Sequence, residues 1–287
     1  MKRKFLKSIL ILFTLNCATV FASENRTFNF SWLTDGLIAG SAFALDLTDV
    51  ILNRVCDFGD VDYEGQTFDS SLVNSFDRSM MHSYVKGADT AADIITVATA
   101  LTPAIMFSCP RSSWVTIYVM YAESLMWAYG IKEILKMSVG RVRPYMYFDD
   151  YPVYEVLKGD WNTSFPSGHT TYAFTAATFS TYIFCTYYPN SAWRFAVGFG
   201  SYALAATTAF LRVYSGCHFV TDVLTGMGIG TLCGFIVPFL HTLVDADDDD
   251  NEFASASSNS NKNGGIRIAQ NMSVRISPLC LDFITCW

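Results

Sequence analysis

Arg212-Val-Tyr-Ser-Gly-Cys-His218-Phe-Val-Thr-Asp222 is the stretch on which the reading of this chain turns. His218 and Asp222 are four residues apart, a spacing that puts imidazole and carboxylate on one face of a helix. A carboxylate so placed can hold one ring nitrogen and leave the other free and nucleophilic. Gly216 is a natural break, so Arg212 can end one helix while His218 opens the next. Arg212 then returns to the same site as a bidentate clamp for an oxyanion.

Two further constellations extend this one. Lys136 and Arg143 lie seven residues apart, close to two helical turns, and therefore share a face. Pro144 stops that helix by pushing Arg143 out of the helical region. Pro166-Ser167-Gly168-His169 precedes a long apolar run. Ser167 is well typed for an N-cap, Gly168 lets backbone approach a ligand, and first-turn N–H groups form an anion site. Each motif alone has an ordinary reading, as a solvated basic helix end or a capped helix that begins with His. Together they supply three cations, a helix N-terminus and two histidines, which suits holding a tetrahedral phosphate and attacking it. His82 and His241, the other two of the four histidines, have no such company in the sequence. They read as a loop residue and a helix-end residue.

The three motifs resemble those of the type 2 phosphatidic acid phosphatase / vanadium haloperoxidase superfamily. That pattern is Lys, six residues, Arg-Pro; then Pro-Ser-Gly-His; then Ser-Arg, five residues, His, three residues, Asp. Every spacing fits, over about residues 88 to 243, and Leu211 stands where the family usually has Ser. The resemblance implies that His218 attacks phosphorus to form a phosphohistidine, that Asp222 orients His218, and that His169 protonates the leaving oxygen. It assigns the phosphate to Lys136, Arg143, Ser167, the Gly168 N–H and Arg212, with no metal or other cofactor. Fixed cations then stabilise the charge. It also implies an all-α transmembrane bundle of five to six spans around the phosphatase/haloperoxidase core. The substrate would be a lipid phosphate such as phosphatidate, phosphatidylglycerol phosphate, polyprenyl diphosphate or a lipid A phosphate. A secreted non-specific acid phosphatase would share the motifs. A non-enzymatic membrane protein would have lost at least one of the two histidines.

Composition points to a membrane. Of 287 residues, 51% are hydrophobic and only 16% charged, where soluble domains usually carry about 25% charge. The net charge of −7 leaves no basic face for nucleic acid. Lys2, Arg3, Lys4 and Lys7 precede the apolar stretch Ser8–Phe21, so residues 1–22 read as a signal peptide or signal anchor. The eight cysteines show no paired metal spacing. Five segments are long and apolar, roughly Ile94–Pro110, Ser112–Ile131, Thr170–Trp193, Phe195–Leu211 and Val223–Val244. Glu123 lies within the second and should face the bundle interior.

Residues 23–87 form an extension with a surface helix or a first membrane helix. Asp35, Asp46 and Asp49 leave Ser31–Asn53 short of a span, which favours a surface helix or one lying against the bundle. With the N-terminus in the cytoplasm and this segment not crossing, Arg111 and Arg194 fall in cytoplasmic loops. The three motifs then meet on the outer face, in a bacterial inner membrane with the site toward the periplasm. If the segment crosses, the site faces the cytoplasm. The loop Tyr145–Phe165 reads either as a lid or as an inert interfacial loop. After the core, residues 88–244, the acidic and Ser/Asn/Gly-rich tail 245–287 reads as a linker followed by a short strand or tag.

Overall fold

The computed structural model describes residue 28, residues 30–56 and residues 68–260, with side chains described to residue 242. The expectations for residues 1–22 and for the tail beyond residue 260 lie outside that range. The described residues contain eight α-helices joined by turns and short 3-10 segments, and no strand. The all-α expectation therefore holds.

Helix α1 runs over Trp32–Cys56 and the short α2 over Ser75–Arg78. Helix α3, Lys86–Ala100, continues as a 3-10 segment over Thr102–Ser108. Helix α4, Trp114–Val139, ends on Gly140 in the left-handed conformation, a common C-cap. The short α5, Val153–Val156, lies in the loop that leads to α6, Gly168–Tyr187. Helices α7, Trp193–Tyr214, and α8, Val220–Ser260, complete the bundle.

Helix α6 is the axis. Most of its side chains are buried, and it packs against α3, α4, α7 and α8. Most of its threonines and serines satisfy their hydroxyls on carbonyls one turn back, as Thr171 does on Ser167 O at 2.9 Å, while Thr178 meets the Tyr202 hydroxyl at 2.7 Å. Helix α8 approaches it through Gly226, Gly230 and Gly234, spaced four apart. A Cβ at Gly230 would stand 2.2 Å from Thr171 O, and one at Gly234 2.5 Å from Thr175 O. Small residues at this seam are what lets two helix backbones come close.

Among the described residues, three helical stretches are long and apolar enough to cross a membrane: Lys86–Ser108, Trp193–Tyr214 and Val220–Thr242. Helices α4 and α6 contain the other two apolar segments. Helix α6 stops at Tyr187 rather than running to Trp193, because a turn at Tyr188–Ala192 separates it from α7. The bundle's outer surface carries Ile94, Val97, Phe199, Phe210, Leu224 and Leu232.

Helix α1 runs beside α4 in the same direction. Near its start Asp35 adjoins His241; further along, Trp127 Nε1 donates to Ile38 O at 3.3 Å; later still, Asp46 adjoins Gly130. Asp35 and Asp49 are buried while Leu37, Phe43, Val50 and Val55 are exposed. The acids that made this segment read as too polar point into the bundle, and the outward face is apolar.

Two expectations are corrected. Helix α8 continues through the acidic run to Ser260, where a linker was expected. No Gly or Pro interrupts residues 239–260, and each added residue brings one more backbone hydrogen bond once a helix is nucleated. His241 is not a partnerless helix-end residue. It is buried within α8 beside Asp35 and Glu123, both contributed by other helices.

Candidate active site

The site forms where the start of α3, the end of α4, the loop 140–167, the start of α6, the end of α7 and the turn before α8 meet. Backbone bonds fix these pieces. Tyr145 N donates to Gly216 O at 3.0 Å, Val85 N to Ser215 O at 3.1 Å, Ser164 N to Arg141 O at 2.8 Å, and Ser167 N to Asp222 O at 3.1 Å. Gly216 has φ +73, and a Cβ there would stand 2.5 Å from His82 O and 2.6 Å from Ser83 O. Glycine meets both the backbone conformation and the lack of space.

His218 sits just ahead of α8 and is buried. Its Nδ1 lies 2.7 Å from Ser164 O, so Nδ1 carries the hydrogen and Nε2 keeps its lone pair. Nε2 has no hydrogen-bond partner among the described residues. Asp222 Oδ2 is 3.8 Å from Nδ1, beyond hydrogen-bond reach. It accepts instead from Ser164 Oγ at 2.5 Å and from Phe219 N at 2.8 Å. The second bond is a reciprocal cap, from the third helical residue back to the N-cap N–H. Asp222 therefore acts on His218 at one remove. It holds the hydroxyl of the residue whose carbonyl holds the ring.

Arg141 clamps Asp222 from the other side and also reaches Asp77 at 2.8 Å. Asp77, from α2, is fully buried and accepts from Thr221 N at 3.0 Å and Thr221 Oγ1 at 2.6 Å. This network ties the extension before the core to the first turn of α8. Neither Arg141 nor Asp77 stood out in the sequence, because neither lies in a spaced motif.

The expected anion-binding groups are gathered around His218. Arg143 and Arg212 are buried. Arg143 pairs with Asp160 at 2.6 Å, and Arg212 pairs with Asp89. The Nε of Arg212 is buried without a partner. Lys136 forms no ion pair among the described residues. Ser167 occupies the N-cap of α6 but makes no bond to a helix N–H. Its Oγ lies 3.0 Å from Thr170 Oγ1. The first-turn N–H groups, including that of Gly168, thus remain available to an anion. His169 is half-buried, with Nε2 2.9 Å from Asp93 Oδ1.

Three carboxylates therefore stand among the cations, and the motifs did not reveal them. Asp89, in the first turn of α3 where the helix dipole favours acids, and Asp93 are four apart on one face. That i, i+4 pair was the available signal.

The electrostatic result is a neutral imidazole pair. Burial first, and then the charges of Arg143, Arg212 and Lys136, hold the His218 pKa well below the usual histidine value. Burial, then Arg212, His218 and Arg143, does the same to His169. A neutral imidazole with one nitrogen anchored and the other free, set among buried cations, can attack an electrophile that carries negative charge.

The loop Tyr145–Phe165 is a packed cap. Tyr145, Met146, Val156 and Trp161 form their own buried cluster against Phe68 and Tyr84.

Comparison with known proteins agrees with the motif reading. Residues 117–244 match the model of the PAP2 superfamily. Over 135 residues the chain is 30% identical to a lipid A 1-phosphatase of Porphyromonas gingivalis (strain ATCC 33277). That match takes in 47% of this chain and 26% of the relative, so the chain covers about a quarter of that curated relative's length. Among solved structures, a transmembrane PAP2 type phosphatidylglycerolphosphate phosphatase from Bacillus subtilis matches at 23% identity with a TM-score of 0.43. This covers 69% of this chain and 94% of that one.

Proposed function

We propose, from the match of residues 117–244 to the PAP2-superfamily model, that this protein hydrolyses lipid phosphate esters or anhydrides through a phosphohistidine at His218. The observation that carries the reading is the His218 ring, with Nδ1 committed to Ser164 O and Nε2 free among buried arginines. Nε2 attacks phosphorus, the bond from phosphorus to the leaving oxygen breaks, and that oxygen takes a proton from His169. Water then attacks phosphorus while His169 takes a proton from it; the new phosphorus–oxygen bond forms as the phosphorus–nitrogen bond breaks, which returns His218 and releases phosphate.

Lys136, Arg143, Ser167, the Gly168 N–H and Arg212 hold the phosphoryl oxygens. The phosphate takes over guanidinium groups now paired with Asp89 and Asp160. Its negative charge also opposes the field that keeps His169 neutral, so His169 gains its proton as substrate binds. Asp222 and Ser164 position His218, and Asp93 positions His169.

The substrate is an amphiphile, because the site lies at the ends of apolar helices, at headgroup depth. The site faces the outside of the membrane. Arg111 and Arg194 support this, since they lie at the opposite end of the bundle, where Tyr188 OH bonds Ser108 O. Cytoplasmic loops favour such cations. Helix α1 has 25 residues, about 37 Å of helix, and runs toward the site end, so with its start, rather than the start of the chain, placed on the cytoplasmic side it serves as a first span and the site stays outward.

The test is phosphate release by the purified protein in detergent from phosphatidate, a polyprenyl diphosphate, a lipid A phosphate and a soluble aryl phosphate. The lipid substrates should be turned over faster than the soluble ester. His218→Ala should lose activity by about 10⁴-fold or more, and His169→Ala by roughly 10²–10⁴-fold. Full activity in the His218 variant sinks the mechanism.

A further inference from the structure

At the end of the bundle remote from the phosphate site, three helices bring Asp35, Glu123 and His241 together. One ligand-type atom from each lies within 4.8 Å of the others, and each residue is less than 5% exposed. His241 Nδ1 lies 3.0 Å from Val237 O. With the hydrogen there, Nε2 turns its lone pair toward Asp35 Oδ1 at 3.2 Å and Glu123 Oε2 at 3.8 Å. Asp35 spends its other oxygen on Ser31 N at 2.7 Å. Both oxygens of Glu123 are buried without any hydrogen-bond partner. Two carboxylates facing an imidazole lone pair repel one another unless something positive lies between them. A proton on Glu123 would find the acceptor Nε2 at 3.8 Å, beyond hydrogen-bond reach, which leaves a buried O–H unsatisfied.

We propose that Asp35, Glu123 and His241 form a structural site for a divalent transition metal, with zinc the best fit. Zinc takes nitrogen and oxygen ligands at about 2.0–2.2 Å in tetrahedral geometry. Ligand atoms at those lengths stand roughly 3.3–3.6 Å apart, close to the two separations seen. A dication with two carboxylates is neutral overall, which suits a site inside a bundle of apolar helices far better than two bare acids. The Nδ1–H bond to a backbone carbonyl is the outer contact that usually fixes a metal-binding imidazole. The ion would cross-link α1, α4 and α8. It would also lie about 30 Å from His218, given some 21 residues of helix between Val220 and His241, and so takes no part in phosphate chemistry.

The full chain in detergent, stripped with a chelator and reloaded with zinc, should retain about one equivalent by elemental analysis, and zinc should raise its Tm. Cobalt in place of zinc should give the visible absorption of a low-symmetry nitrogen/oxygen site. Glu123→Gln, nearly isosteric, and Asp35→Asn should each lose the retained metal and the Tm shift, whereas His82→Ala should keep both. Wild-type protein that retains no zinc and shows no Tm shift overturns the proposal whatever the variants do. So does zinc retained at full stoichiometry by both Glu123→Gln and Asp35→Asn.

Discussion

Different partners hold the two site imidazoles. Ser164 O anchors His218 at 2.7 Å, while Asp93 holds His169 at 2.9 Å. Burial and the neighbouring arginines keep both rings neutral below the pH at which free histidine charges. The sign follows from linkage. The folded pKa values lie below the unfolded value of about 6.5, so the unfolded chain binds more protons as pH falls through that value. These two groups therefore make folding less favourable in acid, yet the imidazoles of the folded free protein stay neutral there. A reagent that acylates neutral imidazole should then inactivate the protein at about pH 5.5 nearly as fast as at pH 7.5, and inorganic phosphate should protect. An ordinary histidine would slow roughly tenfold over that interval; a tenfold slowing here would contradict the field assigned to Arg143 and Arg212.

Among the elements, the seam between α6 and α8 sets the geometry of the site, because Ser167 and His169 open one helix while His218 and Asp222 open the other. The glycines on α8 carry that seam. Gly230→Ala places a methyl against Thr171 O, a backbone atom that cannot move alone. The cost should be about 1–3 kcal/mol, seen as a lower Tm in detergent, with phosphatase activity falling as the two helix starts shift apart. Gly228→Ala is the internal comparison, since a Cβ there meets nothing within 4 Å, and it should match wild type or exceed it slightly. The helices themselves were legible from runs of apolar residues. The seam was not, because a glycine in a helix pattern carries no label for the neighbour it admits.

Across the whole molecule, the proposed outward-facing site follows from placing the start of α1 and the Arg111 and Arg194 end of the bundle on the cytoplasmic side. Single cysteines placed at Asp150, beside the site, and at Asn190, at the far end, should react differently with a membrane-impermeant thiol reagent applied to intact cells. Both positions are exposed. The first should label from outside and the second only after permeabilisation. Labelling of Asn190→Cys alone would turn the bundle over.

Spacing along the chain determined the chemistry of the site. Lys136 with Arg143, Ser167 through His169, and Arg212 through Asp222 are short-range patterns, but no shared helix face gathers them: α4 ends at Val139, so Arg143 reaches the site on extended backbone, and His218 precedes α8. Apolar runs determined the helical bundle. Tertiary structure alone decided which groups hold which. Arg212 meets Asp89 across 123 residues, Asp77 meets Thr221 across 144, and His241 meets Asp35 across 206. No periodicity connects positions so far apart. A buried charge must find an opposite charge or a hydrogen bond wherever the packing offers one, and that choice is made only when the helices come together.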